Sequence, residues 1–279
     1  MSLTPSPNAQ TEGGAIAARD RLIDAAREAG ALALGYFRRG AQTLAAVQSK
    51  AGGSPVTAAD LAADALLMER LGSAFPEAGW LSEETLDNAE RLGRRALIIV
   101  DPIDGTRAFV AGDPRWTVCA ALVLDGRPIA GVVHAPALGE TFAAARGHGA
   151  SLNDERLAAP PARPRAAPLV AAGPKPMLLA VSKRLGVSVD IVPRVPSLAY
   201  RLCMAARGAV DFAVAATDSH DWDIAAADLI LEEAGARLST ASGESIVYNT
   251  SRVRRKALLA APEALAPRLL DAFRGALGD

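Results

Sequence analysis

Aromatic side chains are scarce, at 4% of 279 residues, although half of the chain is hydrophobic. That balance suits an alanine-rich globular protein and excludes a disordered chain, which buries too little apolar surface to offset the entropy of ordering. Cysteine is scarcer still. Cys119 and Cys203 lie far apart in apolar stretches and match no zinc or redox spacing, so both are read as buried thiols in a reducing compartment. Excess charge of one sign is also lacking: thirty basic against thirty-one acidic residues leave a net charge of -1, with no global field to draw in a nucleic-acid polymer or an anionic membrane. No apolar run approaches the roughly 20 residues that span a bilayer, and the first fourteen residues lack the basic start and apolar stretch of a signal peptide. A soluble cytoplasmic protein without a membrane partner is expected.

What is present centres on Asp101-Pro102-Ile103-Asp104-Gly105-Thr106, directly after the β-branched run Leu97-Ile98-Ile99-Val100. A buried strand ending this way aims two carboxylates into a cleft. Oxygen ligands spaced D-x-x-D suit a hard cation such as magnesium, and the backbone N–H groups of Gly105 and Thr106 can face a phosphate. A plain turn built by Asp-Pro and Asp-Gly is the alternative at this point.

Residues 1–14 are polar and are expected to form a loose tail. Helical spacing runs from Ala15 to Arg38 and again from Thr57, as a cap, to about Phe75, with Leu61, Met68 and Leu71 on the inner stripe. Asp60, in the first turn, is a cap or a functional carboxylate; Asp64 is read as a solvated charge. Gly79 to Ser82 forms a short strand ahead of the pair Glu83-Glu84. Beyond the motif come strands at Trp116–Leu124, Pro128–Ala135 and Glu140–Ala145, the first two joined by the hairpin signal Asp125-Gly126. His134 and His148 have no partner at metal-ligand spacing. The proline-rich stretch 158–176 is the candidate connector. After it, strands are expected at Met177–Val181, Gly186–Val192 and Val210–Ala215, with helices at Ser197–Ala206, Ile224–Ala234 and Pro262–Leu277. This divides the chain into an α+β domain over 15–165 and an α/β domain over 166–279. Asp221 and Asp223, at a helix start, are caps or a further source of carboxylate.

Taken together, Val56-Thr57-Ala58-Ala59-Asp60, Ser82-Glu83-Glu84, Asp101 to Thr106, and Trp222-Asp223 with Ala225-Ala226 and Glu233-Ala234-Gly235 resemble, in order and spacing, the inositol monophosphatase family. The resemblance implies an α+β fold, a layered α-β-α-β-α sandwich of the inositol monophosphatase and fructose-1,6-bisphosphatase type, usually a homodimer. It also implies a lithium-sensitive phosphomonoesterase that uses about two or three Mg2+ ions per subunit on a small phosphorylated metabolite. In the matching motifs Glu83, Asp101 and the carbonyl of Ile103 would hold one metal, and Asp101, Asp104 and Asp223 a second. Thr106, paired with Asp60, would position and help deprotonate the attacking water, while the amides of Gly105 and Thr106 meet the phosphate.

Substrate is a separate matter. Inositol-directed members carry a Glu seven residues before the Trp-Asp aspartate, and here that position is Ala216. The stretches Asp104 to Phe109 and Gly131 to Pro136 are more similar to the 3'(2'),5'-bisphosphate nucleotidase branch, in which Arg107 would meet a second phosphate. Histidinol-phosphate phosphatases share the basic-x-Phe pattern, so they and inositol-1-phosphate phosphatases stay as alternatives. Ser197, after Pro196 where the family often has Gly, and His220 are further candidate substrate contacts. The contrasting class is a non-catalytic module that binds metal or a phosphorylated metabolite. Such a module should have lost a ligand or the water-positioning pair, whereas Asp60, Glu83, Asp101, Asp104, Thr106 and Asp223 are all present.

Overall fold

The computed structural model describes residues 12–50, 52–158 and 167–277. Helix α1 (Glu12–Leu34) starts inside the segment expected to be a loose tail, whose other residues lie outside the described ones. Ala18, Leu22, Ala25, Ala26, Ala29 and Ala33 form its buried face; with so little side chain there, the helix lies close on its neighbours. A small hairpin, β1 (Val47–Ser49) with β2 (Pro55–Thr57), leads into α2 (Ala58–Ala74), which Thr57 caps in a full capping box with Asp60. The inner row of α2 is Ala59, Ala63, Leu67 and Leu71, spaced by one turn. Leu61 and Met68, expected inside, are exposed because they sit off that row, and Asp64, expected in solvent, is buried.

Seven strands form the first sheet in the order β3-β4-β5-β6-β7-β8-β9: β3 (Gly79–Ser82), β4 (Ala96–Asp104), β5 (Thr117–Leu124), β6 (Arg127–Ala135), β7 (Glu140–Ala145), β8 (Gly149–Leu152) and β9 (Glu155–Arg156). Only the β3–β4 pair is parallel; each later pair is antiparallel. The β5–β6 turn places Asp125 (φ 49) and Gly126 (φ 79) in the left-handed region, as a two-residue hairpin requires. Short helix α3 (Thr106–Ala111) separates β4 from β5.

The second sheet runs β11-β10-β12-β16-β14. Its strands are β10 (Leu169–Ala172), β11 (Val189–Ile191), β12 (Phe212–Ala215), β14 (Ala236–Thr240) and β16 (Leu258–Pro262). Residues 159–166 of the proline-rich stretch lie outside the described residues, and its later part holds β10, whose Leu-Val-Ala-Ala run pairs in parallel with both β11 and β12. One expectation fails here. Met177–Val181, expected as a strand, belongs to helix α4 (Lys175–Leu185): Pro176 fits a first helical turn, Leu178 and Val181 share one buried face, and Gly186 (φ 67) ends it. Helices α5 (Leu198–Ala206), α6 (Asp221–Glu233) and α7 (Ala266–Leu277) complete the chain, with a minor pair of β13 (Ser219–His220) and β15 (Arg254–Arg255).

Strand alternation sorts these elements into five layers. On β4, Ile98 and Val100 pack with α1 and α2, while Leu97 and Ile99 face the cluster that includes α5 and α6. That middle cluster continues to Ala213, Ala215, Leu258 and Ala260 of the second sheet, whose opposite face, with Phe212, Val214, Leu259 and Ala261, is covered by α4 and α7. The order is therefore helices, sheet, helices, sheet, helices, the α-β-α-β-α sandwich. Gly131 lets α6 approach: a Cβ there would come within 3.0 Å of the Ala226 carbonyl oxygen. The N-terminus of α6 thereby reaches the end of β4.

Candidate metal centre

The ladder between β4 and β5 is regular down to the pair Asp101–Cys119 and then slips before Asp104 meets Thr117. Pro102, which has no N–H to give, lies in the gap. Such a slip re-aims side chains at the end of a strand. Here Asp101 and Asp104, with Asp223 from the first turn of α6, each bring one oxygen to within 4.8 Å of the others. Asp101 Oδ1 accepts the Ile103 N–H at 3.0 Å, while Asp101 Oδ2 is buried without a hydrogen-bond partner among the described residues. Asp104 Oδ2 accepts from Ser197 Oγ and the Ala199 N–H, both at 2.7 Å. The Asp223 carboxylate accepts the His220 N–H at 2.6 Å.

Three carboxylates facing one another, Asp101 and Asp104 buried and Asp223 partly so, repel. Burial above all, then Glu83 and Asp104, push Asp101 well above the ordinary carboxylate range, and burial followed by Asp104 does the same to Asp223. Burial raises Asp104 to about 6, against the opposing pull of Ser197 and the first amides of α5. An all-oxygen donor set with an orphaned carboxylate oxygen matches a hard cation, so the residues present fit a metal.

Glu83 flanks this cluster. The Lys50 ammonium, in the turn between β1 and β2, lies 2.8 Å from both Glu83 and Glu84. Burial opposes its charge, but the two carboxylates outweigh that and hold its pKa above the ordinary value. Glu84 is pushed by burial to about 7 despite Lys50. Buried Asp64 accepts from Ser82 Oγ and from Thr85 Oγ1, so it holds both ends of the segment that carries the two glutamates.

Asp60 caps α2 and meets Thr106 at once. Its Oδ2 accepts the Thr57 N–H and hydroxyl, while Oδ1 lies 3.1 Å from Thr106 Oγ1. Thr106 Oγ1 is also 3.1 Å from the Ile103 carbonyl oxygen. Burial raises Asp60, with Thr57 and then Thr106 opposing. Gly105 (φ 94) takes the left-handed turn just before α3, and a Cβ there would come within 3.3 Å of the Ser197 amide.

The remaining candidates divide. Ser197 is buried and bonded to Asp104. His220 is half-buried, its ring stacked at 4.6 Å on Trp222. Arg107 is exposed on α3 and has no hydrogen bond or ion pair among the described residues. Neighbouring Asp221 points elsewhere, to Arg255 Nε at 2.5 Å. Four residues that the structure places beside the cluster or its neighbours were not among the sequence candidates: Lys50, Asp64, Thr117 and Arg201. Arg201 lies one turn after Ser197 on α5, and its position on that face was the available signal. Its Nε is buried without a partner, and burial lowers its pKa although Asp104 and Asp223 attract it; Arg194 opposes it.

The chain matches the model of the Inositol monophosphatase family over residues 18–276. It is 34% identical to a histidinol-phosphatase of Chlorobaculum parvum over 251 residues, covering 85% of this chain and 94% of the relative. It is 29% identical to the 3'(2'),5'-bisphosphate nucleotidase CysQ of Aggregatibacter actinomycetemcomitans, covering 82% and 86%. Among solved structures, an IMPase of Thermotoga maritima superposes with a TM-score of 0.78 at 27% identity, over 93% of this chain and 97% of that one.

Proposed function

Because the chain belongs to the inositol monophosphatase family, a family of phosphoric monoester hydrolases, we propose that it is a Mg2+-dependent phosphatase of the 3'(2'),5'-bisphosphate nucleotidase branch. The orphaned Oδ2 of Asp101, buried against Asp104 and Asp223, carries the metal reading. In it Glu83, Asp101, the Ile103 carbonyl, Asp104 and Asp223 would hold Mg2+, residues 15–165 supplying all but Asp223. Bound there, Mg2+ would supply a water of lowered pKa and neutralise phosphate charge. Thr106 donates its proton to Asp60, which leaves its oxygen lone pairs to accept from the attacking water and orient it. Asp60, lifted by burial above the ordinary carboxylate range, is a stronger base than a solvated aspartate. The amides of Gly105 and Thr106 donate to phosphoryl oxygens, each such donor being worth about 2.7–4 kcal/mol in the transition state.

Arg201 supports the branch. The Nε of Arg201 has no hydrogen-bond partner among the described residues, and the two acids that attract it, Asp104 and Asp223, are the ones the metal would claim, so a substrate with a second phosphate would bring it an anion of its own. Histidinol phosphate would bring an amine instead, yet Asp218 and Asp221 are already paired with Arg254 and Arg255. Inositol phosphate would bring hydroxyls to the methyl of Ala216. A cytoplasmic homodimer and lithium sensitivity belong to the same reading, and sedimentation of the purified chain tests the dimer.

Phosphate release with Mg2+ should show the highest kcat/KM for adenosine 3',5'-bisphosphate, ahead of histidinol phosphate and inositol 1-phosphate. Arg201→Met should erase most of the advantage of the bisphosphate over adenosine 3'-monophosphate. A preference for histidinol phosphate, unaffected by Arg201→Met, would move the chain to the other branch.

A further inference from the structure

Behind Asp104 a file of buried polar groups crosses from the first sheet to α5. Ser197 Oγ lies 2.7 Å from Asp104 Oδ2, 2.9 Å from the Tyr200 amide nitrogen and 3.0 Å from Thr117 Oγ1. Thr117 Oγ1 in turn lies 3.3 Å from Cys119 Sγ. Thr117 and Ser197 are fully buried and Cys119 is 1% exposed. Valine would fill the place of Thr117 in this core without burying a hydroxyl, so the hydroxyl calls for a reason.

Counting protons gives the file a direction. A carboxylate that coordinates a cation is ionised and only accepts, so the one proton of Ser197 goes to Asp104. The Tyr200 amide can only donate. Ser197 therefore accepts from Tyr200 and has one lone pair left, which takes the proton of Thr117. With its own proton committed, Thr117 can accept only from the thiol of Cys119. Thiol, hydroxyl, hydroxyl and carboxylate thus point the same way, an arrangement in which each bond polarises the next.

We propose that Thr117 is a positioning residue of the metal centre, holding Asp104 in its ligating orientation through the hydroxyl of Ser197, with the Cys119 thiol as the terminal donor. The inference rests on the metal reading of Asp101, Asp104 and Asp223. The backbone serves it: Thr117 is paired across the ladder with Asp104 just past the slip, and Cys119, two residues on, shares its face of β5. Two bonds on Oδ2, from Ser197 and from the Ala199 amide, fix the plane of the carboxylate and with it the direction of the other oxygen. Groups that orient ligands in this manner commonly change metal affinity when removed.

The test is calorimetric titration of the metal-stripped full chain with Mg2+. Thr117→Val should weaken binding about 10-fold, at the low end of the roughly 10–100-fold typical of outer partners. Thr117→Ser, which keeps the donor, should restore affinity close to wild type. Thr141→Val, a buried threonine of β7 bonded to His134, should leave Mg2+ affinity unchanged whatever it costs in Tm. Ser197→Ala should match Thr117→Val, and the double variant should lose little more, because both act along one path. Wild-type affinity in Thr117→Val overturns the proposal, as does a full additive loss in the double variant. Wild-type affinity in Ser197→Ala overturns it even if Thr117→Val does not fold. No heat of Mg2+ binding to the wild-type chain overturns instead the metal reading on which the relay rests.

Discussion

The acids of α6 are of two kinds. At the C-terminal end Glu232 meets Arg146 at 2.7 Å, and Glu233 takes the amides of Gly147 and Gly149, each at 2.7 Å. At the N-terminal end Asp221 likewise meets Arg255 at 2.5 Å, whereas Asp223 faces two further acids, Asp101 and Asp104. One helix, thirteen residues long, therefore carries acids that the fold itself satisfies and an acid that it does not. Leaving buried carboxylates together is costly unless something external pairs them, and in the metal reading proposed above the cation does so at Asp223.

The largest effect expected from this contrast is at Asp104. Asp104→Asn should reduce Mg2+ affinity and turnover by more than the roughly 10–100-fold that outer partners cost, whereas Glu233→Gln should leave both near wild type. Comparable losses at the two ends would remove the distinction. Thr106→Ala should lower kcat by about 10²–10⁴ while Mg2+ affinity by calorimetry stays close to wild type. A change confined to KM would contradict its water-positioning role.

A third consequence concerns pH. Asp104 is raised to about 6 and Glu84 to about 7, so without metal the folded chain binds more protons than the unfolded one above the ordinary carboxylate range. Stability from these groups is fully present below their unfolded pKa and is lost as pH rises through the folded values. Acids held low by arginines, Asp87, Asp113 and Asp125, titrate below this window; His134, lowered by burial to about 4, opposes the trend in its lower half, and the raised acids, with Asp221 at about 6 and Asp228 at about 7, outnumber it. In EDTA the Tm should therefore fall between about pH 4 and 8, and the rise on adding Mg2+ should be larger at pH 8, because binding displaces protons. A Tm in EDTA that climbs across the window would sink this account. The smallest effect should come from the satisfied end: Glu232→Ala, breaking partly exposed pairs with Arg127 and Arg146, should cost about 0–1 kcal/mol in denaturant unfolding and leave Mg2+ affinity alone.

What could be read in the chain alone were features with a local cause. Thr57 caps α2 through atoms within three residues of it, Asp125-Gly126 turns a hairpin by backbone conformation, and Gly235 (φ 78) stops α6. The run Leu97 to Val100 is buried on both faces, so its unbroken hydrophobicity announced a central strand. The four separated motifs also carried the family and with it the layer order. Tertiary structure alone decided which way similar residues face. Asp60 and Asp64 stand one turn apart and both turn inward, one to Thr106 and the other to Ser82 and Thr85, partners 18 to 46 positions away. Arg201 gained its place beside the cluster only because α5 docks its first turn on Asp104. Period and caps act over a few residues, whereas a buried charge is defined by whatever the rest of the chain brings beside it.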